Sequence, residues 1–309
     1  MIDSLNLIIR IKYIDLNHIK KLGIEVKFFS DVNISFEYKN IEFKYDSLHQ
    51  YLLIMTNPHK VLGKKDILLS DKEEYKTKLL KIIREILPTQ DISIEVNRID
   101  YCVDIFVGEK IGIYCELLNR HPKKFCYMRQ KKTYKTSKYL TNKRGQRHLN
   151  FYNRYAKTSE TQDIGVLRLE IQNNPPKIKK EYKDNNIPKT IDYYWSKEAM
   201  QQYFFEFLKP YLFEGDYYKR SIYKKMVNES DEKKLVKKRL NEFSLMESRY
   251  GIDGLIQKKK FCYDTERKYI QILNNLNINP ITIPDNCKYD YLENVLKLAR
   301  KVAEEKYFK

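Results

Sequence analysis

The segment NRIDYCVDI, residues 97–105, alternates polar and apolar side chains. In a β-strand, successive side chains point to opposite faces of the sheet. The apolar side chains from Ile99 to Ile105 therefore share one face, and Arg98, Asp100 and Asp104 share the other. This alternation predicts a strand that packs one face on a hydrophobic core and presents two carboxylates and an arginine on its second face.

Two later segments show the same alternation. In LRLEIQ, residues 167–172, it places Arg168 and Glu170 on the polar face, and in HLNFYNR, residues 148–154, it places His148, Asn150, Tyr152 and Arg154 together. If these strands are neighbours, their polar sides form a single patch. The alternative is that the acids and arginines pair with one another across a solvated sheet face.

The patch suits metal-assisted phosphoryl chemistry. Carboxylate oxygens are preferred ligands of Mg²⁺ and Mn²⁺, so Asp100, Asp104 and Glu170 are the candidate metal ligands. Arg168 is a candidate catalytic residue, because a guanidinium offsets charge on the phosphoryl transition state.

The pattern around these segments predicts an α+β domain. Period-2 runs at 5–11, 32–36 and 51–55 predict strands, and a capping signal at Ser70 precedes a helix that ends before Pro88. A second helix is predicted over 108–120, followed by three more strands. We expect a largely antiparallel sheet with helices on one face over residues 1–190, and a mainly helical C-terminal region over 191–309.

The positive charge is concentrated in one part of the chain. The sequence has 59 Lys and Arg against 41 Asp and Glu, a net charge of +18. Residues 117–159 contain 13 Lys or Arg, no acid, and several tyrosines and phenylalanines. AT-rich codon usage explains some lysine and tyrosine, but this local mixture is typical of nucleic-acid binding. The predicted contacts are Arg98, Lys123, Lys124, Arg129, Lys131, Lys132, Lys135, Lys138, Lys143, Arg144, Arg147 and Arg154.

Several other classes of protein lack support. No apolar run is long enough to span a membrane, and the N-terminus lacks the features of a signal peptide, so we expect a cytoplasmic protein without a membrane partner. The five cysteines include no C-x-x-C pair, and the five histidines form no H-x-H or H-E-x-x-H motif. Zinc sites of the common kinds are therefore not expected.

Five short segments resemble a known family. MIDSLNLII at 1–9, RIDYCVDI at 98–105, KYLTNKRGQRHLNFYNRYAKTSE at 138–160, VLRLEI at 166–171 and NINPITIP at 277–284 resemble, in this order, the plasmid and phage rolling-circle replication initiators. The filamentous-phage gene II type and the related plasmid Rep proteins are the most similar. The paired-histidine motif of the larger nickase superfamily is absent, so either carboxylates bind the metal in its place or the protein binds no metal.

The resemblance implies a site-specific nickase. Such an enzyme cuts one DNA strand at an origin, becomes joined to the 5′ phosphate through a tyrosine and leaves a 3′ hydroxyl for a polymerase. It implies metal binding by Asp100 and Glu170, with Asp104 as a further acid and Glu160 where an acid usually follows. The implied partners are origin DNA that is single-stranded at the nick, a host helicase and polymerase, and a second copy in a homodimer.

The candidate nucleophiles are tyrosines of the basic segment. Tyr139 ranks first, because it precedes a polar turn and matches the family's Y-x-x-x-[KR] element; Tyr152 ranks second, and Tyr134 and Tyr155 follow. A phenol with a pKa of about 10 is a poor nucleophile near neutrality unless it is deprotonated or attacks a polarised phosphate. Two alternatives remain: a non-catalytic DNA- or RNA-binding protein, and a metal-dependent nuclease that uses water.

Overall fold

The architecture is a single large antiparallel sheet with helices packed against it. The structure is a computed structural model that describes residues 1–30, 33–88, 92–121, 127–129, 136–142, 145–257 and 261–308. The strands are β1 (Ile2–Arg10), β2 (Val26–Ser30), β3 (Asn33–Tyr38), β4 (Ile41–Asp46), β5 (Tyr51–Thr56), β6 (Ile94–Phe106), β7 (Tyr127–Arg129), β8 (Ser137–Asn142), β9 (Arg147–Asn153) and β10 (Val166–Asn173).

These ten strands lie in the order β2-β3-β4-β5-β1-β6-β10-β9-β8-β7, and the pairs between them are antiparallel. The strand predicted from residues 97–105 is β6, which has 13 residues and lies between β1 and β10. The prediction of an α+β fold with a largely antiparallel sheet is confirmed.

Thirteen α-helices are formed by the described residues. They are α1 (Leu16–Lys21), α2 (Pro58–Leu62), α3 (Lys72–Ile86), α4 (Ile111–Arg120), α5 (Tyr155–Thr158), α6 (Pro175–Asn185), α7 (Ile191–Tyr194), α8 (Lys197–Met200), α9 (Glu206–Leu212), α10 (Arg220–Glu229), α11 (Lys234–Gln257), α12 (Tyr263–Asn275) and α13 (Val295–Val302). A π-helical turn at Gln201–Phe205 joins α8 to α9, and a second π-helical turn at Ala303–Tyr307 extends α13.

Helices pack on the apolar face of the central strands. Tyr101 of β6 is fully buried and donates a hydrogen bond to the backbone oxygen of Tyr194 in α7. Tyr75 of α3 lies 5.0 Å, between ring centroids, from Trp195 directly after α7. Because alternation sends every second side chain of β6 into this layer, the intervening polar side chains point to the opposite face.

The C-terminal half is mainly helical, as predicted, but its details differ. The sequence predicts a helix over residues 231–250 with Gly251 just past its end, and the backbone of α11 is indeed non-helical at Gly251, where φ is 66°, a conformation that glycine adopts without a Cβ clash; a second helical stretch follows to Gln257. Helix α10 and the short pair of strands β11 (Tyr217–Tyr218) and β12 (Tyr291–Leu292) were not expected. The domain boundary near residue 190 stays a prediction.

Among the helices of the described ranges, none is both long and apolar enough to cross a membrane.

Candidate active site

Strand register brings most of the predicted site residues together on one face of the sheet. Asp100 lies opposite Gln172, and Glu170 lies opposite Cys102. Across β8, β9, β10 and β6, three cross-strand rows result: Thr141, His148, Gln172 and Asp100; Tyr139, Asn150, Glu170 and Cys102; and Ser137, Tyr152, Arg168 and Asp104. We call these twelve residues the polar face. The single patch expected from alternation therefore exists, and Asp100 and Glu170 are diagonal neighbours on it.

Glu170 is the most distinctive acid of the polar face. Its side chain is only 3% exposed, and its oxygens accept hydrogen bonds from the Tyr152 hydroxyl at 2.9 Å, the Asn150 amide at 3.1 Å and the Gln172 amide at 2.6 Å. All three donors are uncharged. Within the part of the chain that the structure describes, no cationic side chain forms an ion pair with Glu170, and Arg98, which pairs with Asp100, interacts with it only at longer range.

Two tyrosines lie beside Glu170 and differ in accessibility. Tyr152 is 2% exposed, and burial of its ring, followed by the negative charge of Glu170, raises the pKa of its hydroxyl above the ordinary value. Tyr139 is half-buried and its ring stacks on that of Tyr152, with centroids 6.4 Å apart and planes 19° apart. The Lys157 ammonium lies 3.3 Å from the Tyr152 hydroxyl. Tyr139 is therefore the more accessible of the two hydroxyl-bearing rings.

Asp100 is held by two hydrogen-bond donors. Arg98 binds both of its oxygens, at 2.8 and 2.6 Å, and the Ser4 hydroxyl donates a third hydrogen bond at 2.6 Å. Burial nevertheless raises the pKa of the Asp100 carboxyl to about 6, against the opposing effect of Arg98. Ser4 belongs to β1, and the sequence argument missed it, although the alternation of residues 4–9 places it on this face.

The contacts of Asp104 do not fit its predicted role as a metal ligand. Arg168 holds both oxygens of Asp104, at 2.6 and 2.7 Å, and Arg154 donates to one of them as well. Although burial alone would raise the pKa of this carboxyl, the hydrogen bonds and charges of the two arginines keep it below the ordinary value. Asp104 is a partner of arginines in this structure, because all three of its hydrogen bonds within the described residues come from guanidinium groups.

Arg168 is correspondingly engaged by acids. Besides Asp104, it contacts Asp3 of β1 at 2.9 Å, and its side chain is only 10% exposed. Its positive charge is therefore shared between two carboxylates of the sheet. Contact with a substrate phosphate, as predicted for a catalytic Arg168, requires one of these ion pairs to open.

We expect Asp104→Asn to lower the free energy of unfolding by roughly 2–3 kcal/mol at neutral pH, because two largely buried guanidinium groups lose a charged acceptor. Urea denaturation measures this loss. Since the pKa of Asp104 is lowered in the folded state, its stabilising contribution is present above about pH 4 and disappears as the pH falls further. The difference between variant and wild type should shrink in the same range.

The control for this variant is Glu42→Gln on β4. Glu42 also has an ion pair, with Lys44 at 2.9 Å, but both side chains are almost half exposed. Its replacement should change stability little, because solvent screens an exposed pair. Equal losses in both variants would contradict the role assigned to Asp104.

The predicted nucleic-acid contacts divide into three groups. Lys138 is 4% exposed and points into the helical layer, where its ammonium donates to the backbone oxygens of Leu118 and His121 at the end of α4. The guanidinium carbon of Arg147 lies 4.3 Å from the centre of the Phe207 ring. These two placements do not fit phosphate contacts. Arg98 and Arg154 lie on or beside the polar face in ion pairs with Asp100, Asp104 and Asp163. Lys123, Lys124, Lys131, Lys132, Lys135, Lys143, Arg144 and the candidate nucleophile Tyr134 lie outside the described residues, as does the side chain of Arg129.

The acids of the polar face can be matched to the ligands that a divalent cation needs. Among the described residues, no three His, Cys, Asp or Glu side chains are grouped closely enough to form a metal site. Mg²⁺, however, is commonly held by one or two carboxylates and completes its shell with water and substrate phosphates. Glu170, which forms no ion pair among the described residues, fits that requirement. Its diagonal neighbour Asp100 fits it once Arg98 releases one of its oxygens, whereas Asp104 is held by two arginines.

The chain was compared with solved structures, and several match it. The chain is similar to a rolling circle replication initiator protein from Geobacillus stearothermophilus, with 12% sequence identity and a TM-score of 0.41, over 68% of this chain and 84% of that chain. No protein-family model matches the sequence, and no curated protein matches it either.

Proposed function

We propose that this protein initiates rolling-circle replication by nicking one DNA strand, with Tyr139 as the nucleophile. The observation that carries the proposal is the cross-strand row formed by Tyr139, Asn150 and Glu170, in which a half-buried tyrosine lies near a buried acid that forms no ion pair among the described residues. The motifs at 98–105, 138–160 and 166–171, which resemble those of rolling-circle initiators, contribute the strands of this row.

The reaction assigned to Tyr139 is a transesterification. Its phenolic oxygen attacks the scissile phosphorus, an O–P bond forms to the 5′ side of the downstream strand, and the bond to the 3′ oxygen of the upstream strand breaks. The 3′ oxygen leaves and takes up a proton, and the phenol loses one. Because the phosphodiester is exchanged for a phosphotyrosine ester, its bond energy is kept for later religation.

Tyr139 suits this role better than Tyr152. The Tyr152 hydroxyl is buried and already donates to Glu170, so a DNA strand has no access to it without displacement of neighbouring side chains. Its raised pKa also makes the phenolate harder to form. Tyr152 instead orients Glu170 from one side, as Asn150 and Gln172 do from the other.

The proposal includes Mg²⁺ or Mn²⁺. Glu170 and Asp100 are the residues that would hold the ion, which supplies positive charge for polarising the scissile phosphate. Asn150, Gln172 and Tyr152 fix the Glu170 carboxylate by three hydrogen bonds. A fixed carboxylate is pre-organised for an incoming ligand, since it loses little side-chain freedom on binding.

The test uses a randomised single-stranded DNA pool that carries a label at its 3′ end. Incubation with the protein and Mg²⁺ or Mn²⁺ should yield protein-linked label, and sequencing the captured strands should reveal a common nick site. Cleavage without a protein-linked product would identify a nuclease that uses water. Binding without cleavage would identify a non-catalytic DNA- or RNA-binding protein.

The partners proposed with this function are origin DNA, exposed as a single strand at the nick, and a host helicase and polymerase that extend the 3′ hydroxyl. We further propose that the protein acts in the cytoplasm and as a homodimer. Sedimentation of the protein with and without the captured nick-site DNA tests the last point.

A further inference from the structure

A second feature lies at the end of β6, outside the polar face. There the chain turns from Phe106 into α4, and a cavity of about 670 Å³ opens between this turn and residues 288–293. Its wall includes the rings of Phe106, Tyr289 and Tyr291. The Phe106 side chain is 77% exposed and that of Tyr291 is 48% exposed. Aromatic rings exposed around a cavity of this size are typical of a ligand-binding surface, since burying them on a ligand is favourable.

The cavity adjoins the candidate active site along a single strand. Phe106 has the same alternation as Asp100, Cys102 and Asp104, so its side chain leaves β6 on the side of the polar face. Cys102 is in the row of Glu170, and the four residue steps from Cys102 to Phe106 span about 13 Å along the strand. A DNA strand at the polar face therefore reaches this cavity within a few nucleotides.

The charges of the cavity favour an uncharged occupant. Lys110 and Lys288 line it together with Glu109 and Glu293, so its charges balance. Lys288 pairs with Glu109 at 2.7 Å, and the ammonium of Lys110 lies 5.6 Å from the centre of the Tyr289 ring. A phosphate gains little from such a site. A nucleobase offers a π-face to the aromatic rings and carries no charge.

We infer that this aromatic pocket, formed by Phe106, Tyr289 and Tyr291, binds a base of the single strand that is nicked at the polar face. The inference rests on the proposed function for the identity of the strand and adds a position for one of its bases. Stacking on the exposed Phe106 holds the strand next to the row of Asp104, and thereby fixes which phosphate faces Tyr139.

The test is a fluorescence measurement on the full chain. The probe is a twelve-nucleotide oligothymidylate with one central 2-aminopurine, whose emission is quenched when the base stacks on an aromatic ring. We expect Phe106→Ala to bind this probe about tenfold more weakly than wild type and to quench it less, because one stacked base is worth roughly 1–3 kcal/mol. Phe106→Leu, which keeps apolar bulk but lacks a ring, should show the same loss of quenching.

The matched control is Phe28→Ala. Phe28 is a comparably exposed aromatic side chain, 63% exposed, on β2 at the far edge of the sheet. The Phe28→Ala replacement should leave the affinity for the probe and its quenching unchanged. Wild-type quenching in both Phe106 variants would contradict base binding in the aromatic pocket. An equal loss of quenching in the Phe28→Ala variant would contradict it as well.

The pocket and the proposed function fail in different ways. If wild type forms a protein-linked product but the Phe106 variants keep normal quenching, the pocket is wrong and the nickase stands. If no protein-linked product forms but quenching depends on Phe106, the pocket binds single strands in a protein that does not nick them.

Discussion

Tyr139→Phe is expected to abolish the protein-linked DNA product, with a fall in nicking rate of three orders of magnitude or more, because the attacking oxygen is removed. The ring remains, and with it the stacking on Tyr152, so affinity for single-stranded DNA should stay near that of wild type. Single-turnover nicking of the captured sequence, followed on a denaturing gel, measures the rate. Anisotropy of a labelled strand measures the affinity.

Two other tyrosines serve as controls for Tyr139. Tyr152→Phe removes one hydrogen bond to Glu170 and should slow nicking while leaving the protein-linked product, since the nucleophile is intact. Tyr155→Phe, at an exposed position in α5, should have little effect. If Tyr152→Phe loses the linked product and Tyr139→Phe retains it, the two roles are reversed, and Tyr152 must become accessible when DNA binds.

Glu170→Gln is expected to lower the nicking rate by roughly a hundredfold or more, because it removes the acid of the polar face that lacks a cationic partner. The replacement has almost the same shape, so the sheet should persist. DNA affinity should stay sensitive to salt, as expected for contacts made by lysines and arginines to phosphates. Rates measured across a range of Mg²⁺ and Mn²⁺ concentrations separate weakened ion binding from a lower maximal rate.

Glu37→Gln is the matched control for this variant. Glu37 is an exposed acid of the same sheet, on β3, and lies away from the three rows of the polar face. The Glu37→Gln variant should nick DNA at the wild-type rate. Unchanged nicking by Glu170→Gln would remove Glu170 from the site, and an equal loss in both variants would point to a general effect of charge on DNA binding.

Local sequence pattern predicted much of the sheet and the composition of its polar face. The alternation in residues 97–105 and 167–172 assigned Asp100 and Glu170 to the face opposite Ile99 and Leu169, and the register of β6 and β10 agrees. This works because the period of a strand is a local property, repeated every two residues. The first helix of α11 ends at Gly251 as a glycine there predicts, and only the short helical stretch from there to Gln257 was missed.

The partners of each charged residue were decided by the tertiary structure. Nothing in the sequence distinguishes Asp104, held between Arg154 and Arg168, from Glu170, which meets only neutral donors. Lys138 looked like its neighbours in the basic segment, yet its position in β8 turns it toward the end of α4. The sequence by itself determined which side chains share a face, because alternation is local. Strand order and register decided which of them meet, because these depend on pairings between residues as far apart as Ser4 and Asp100.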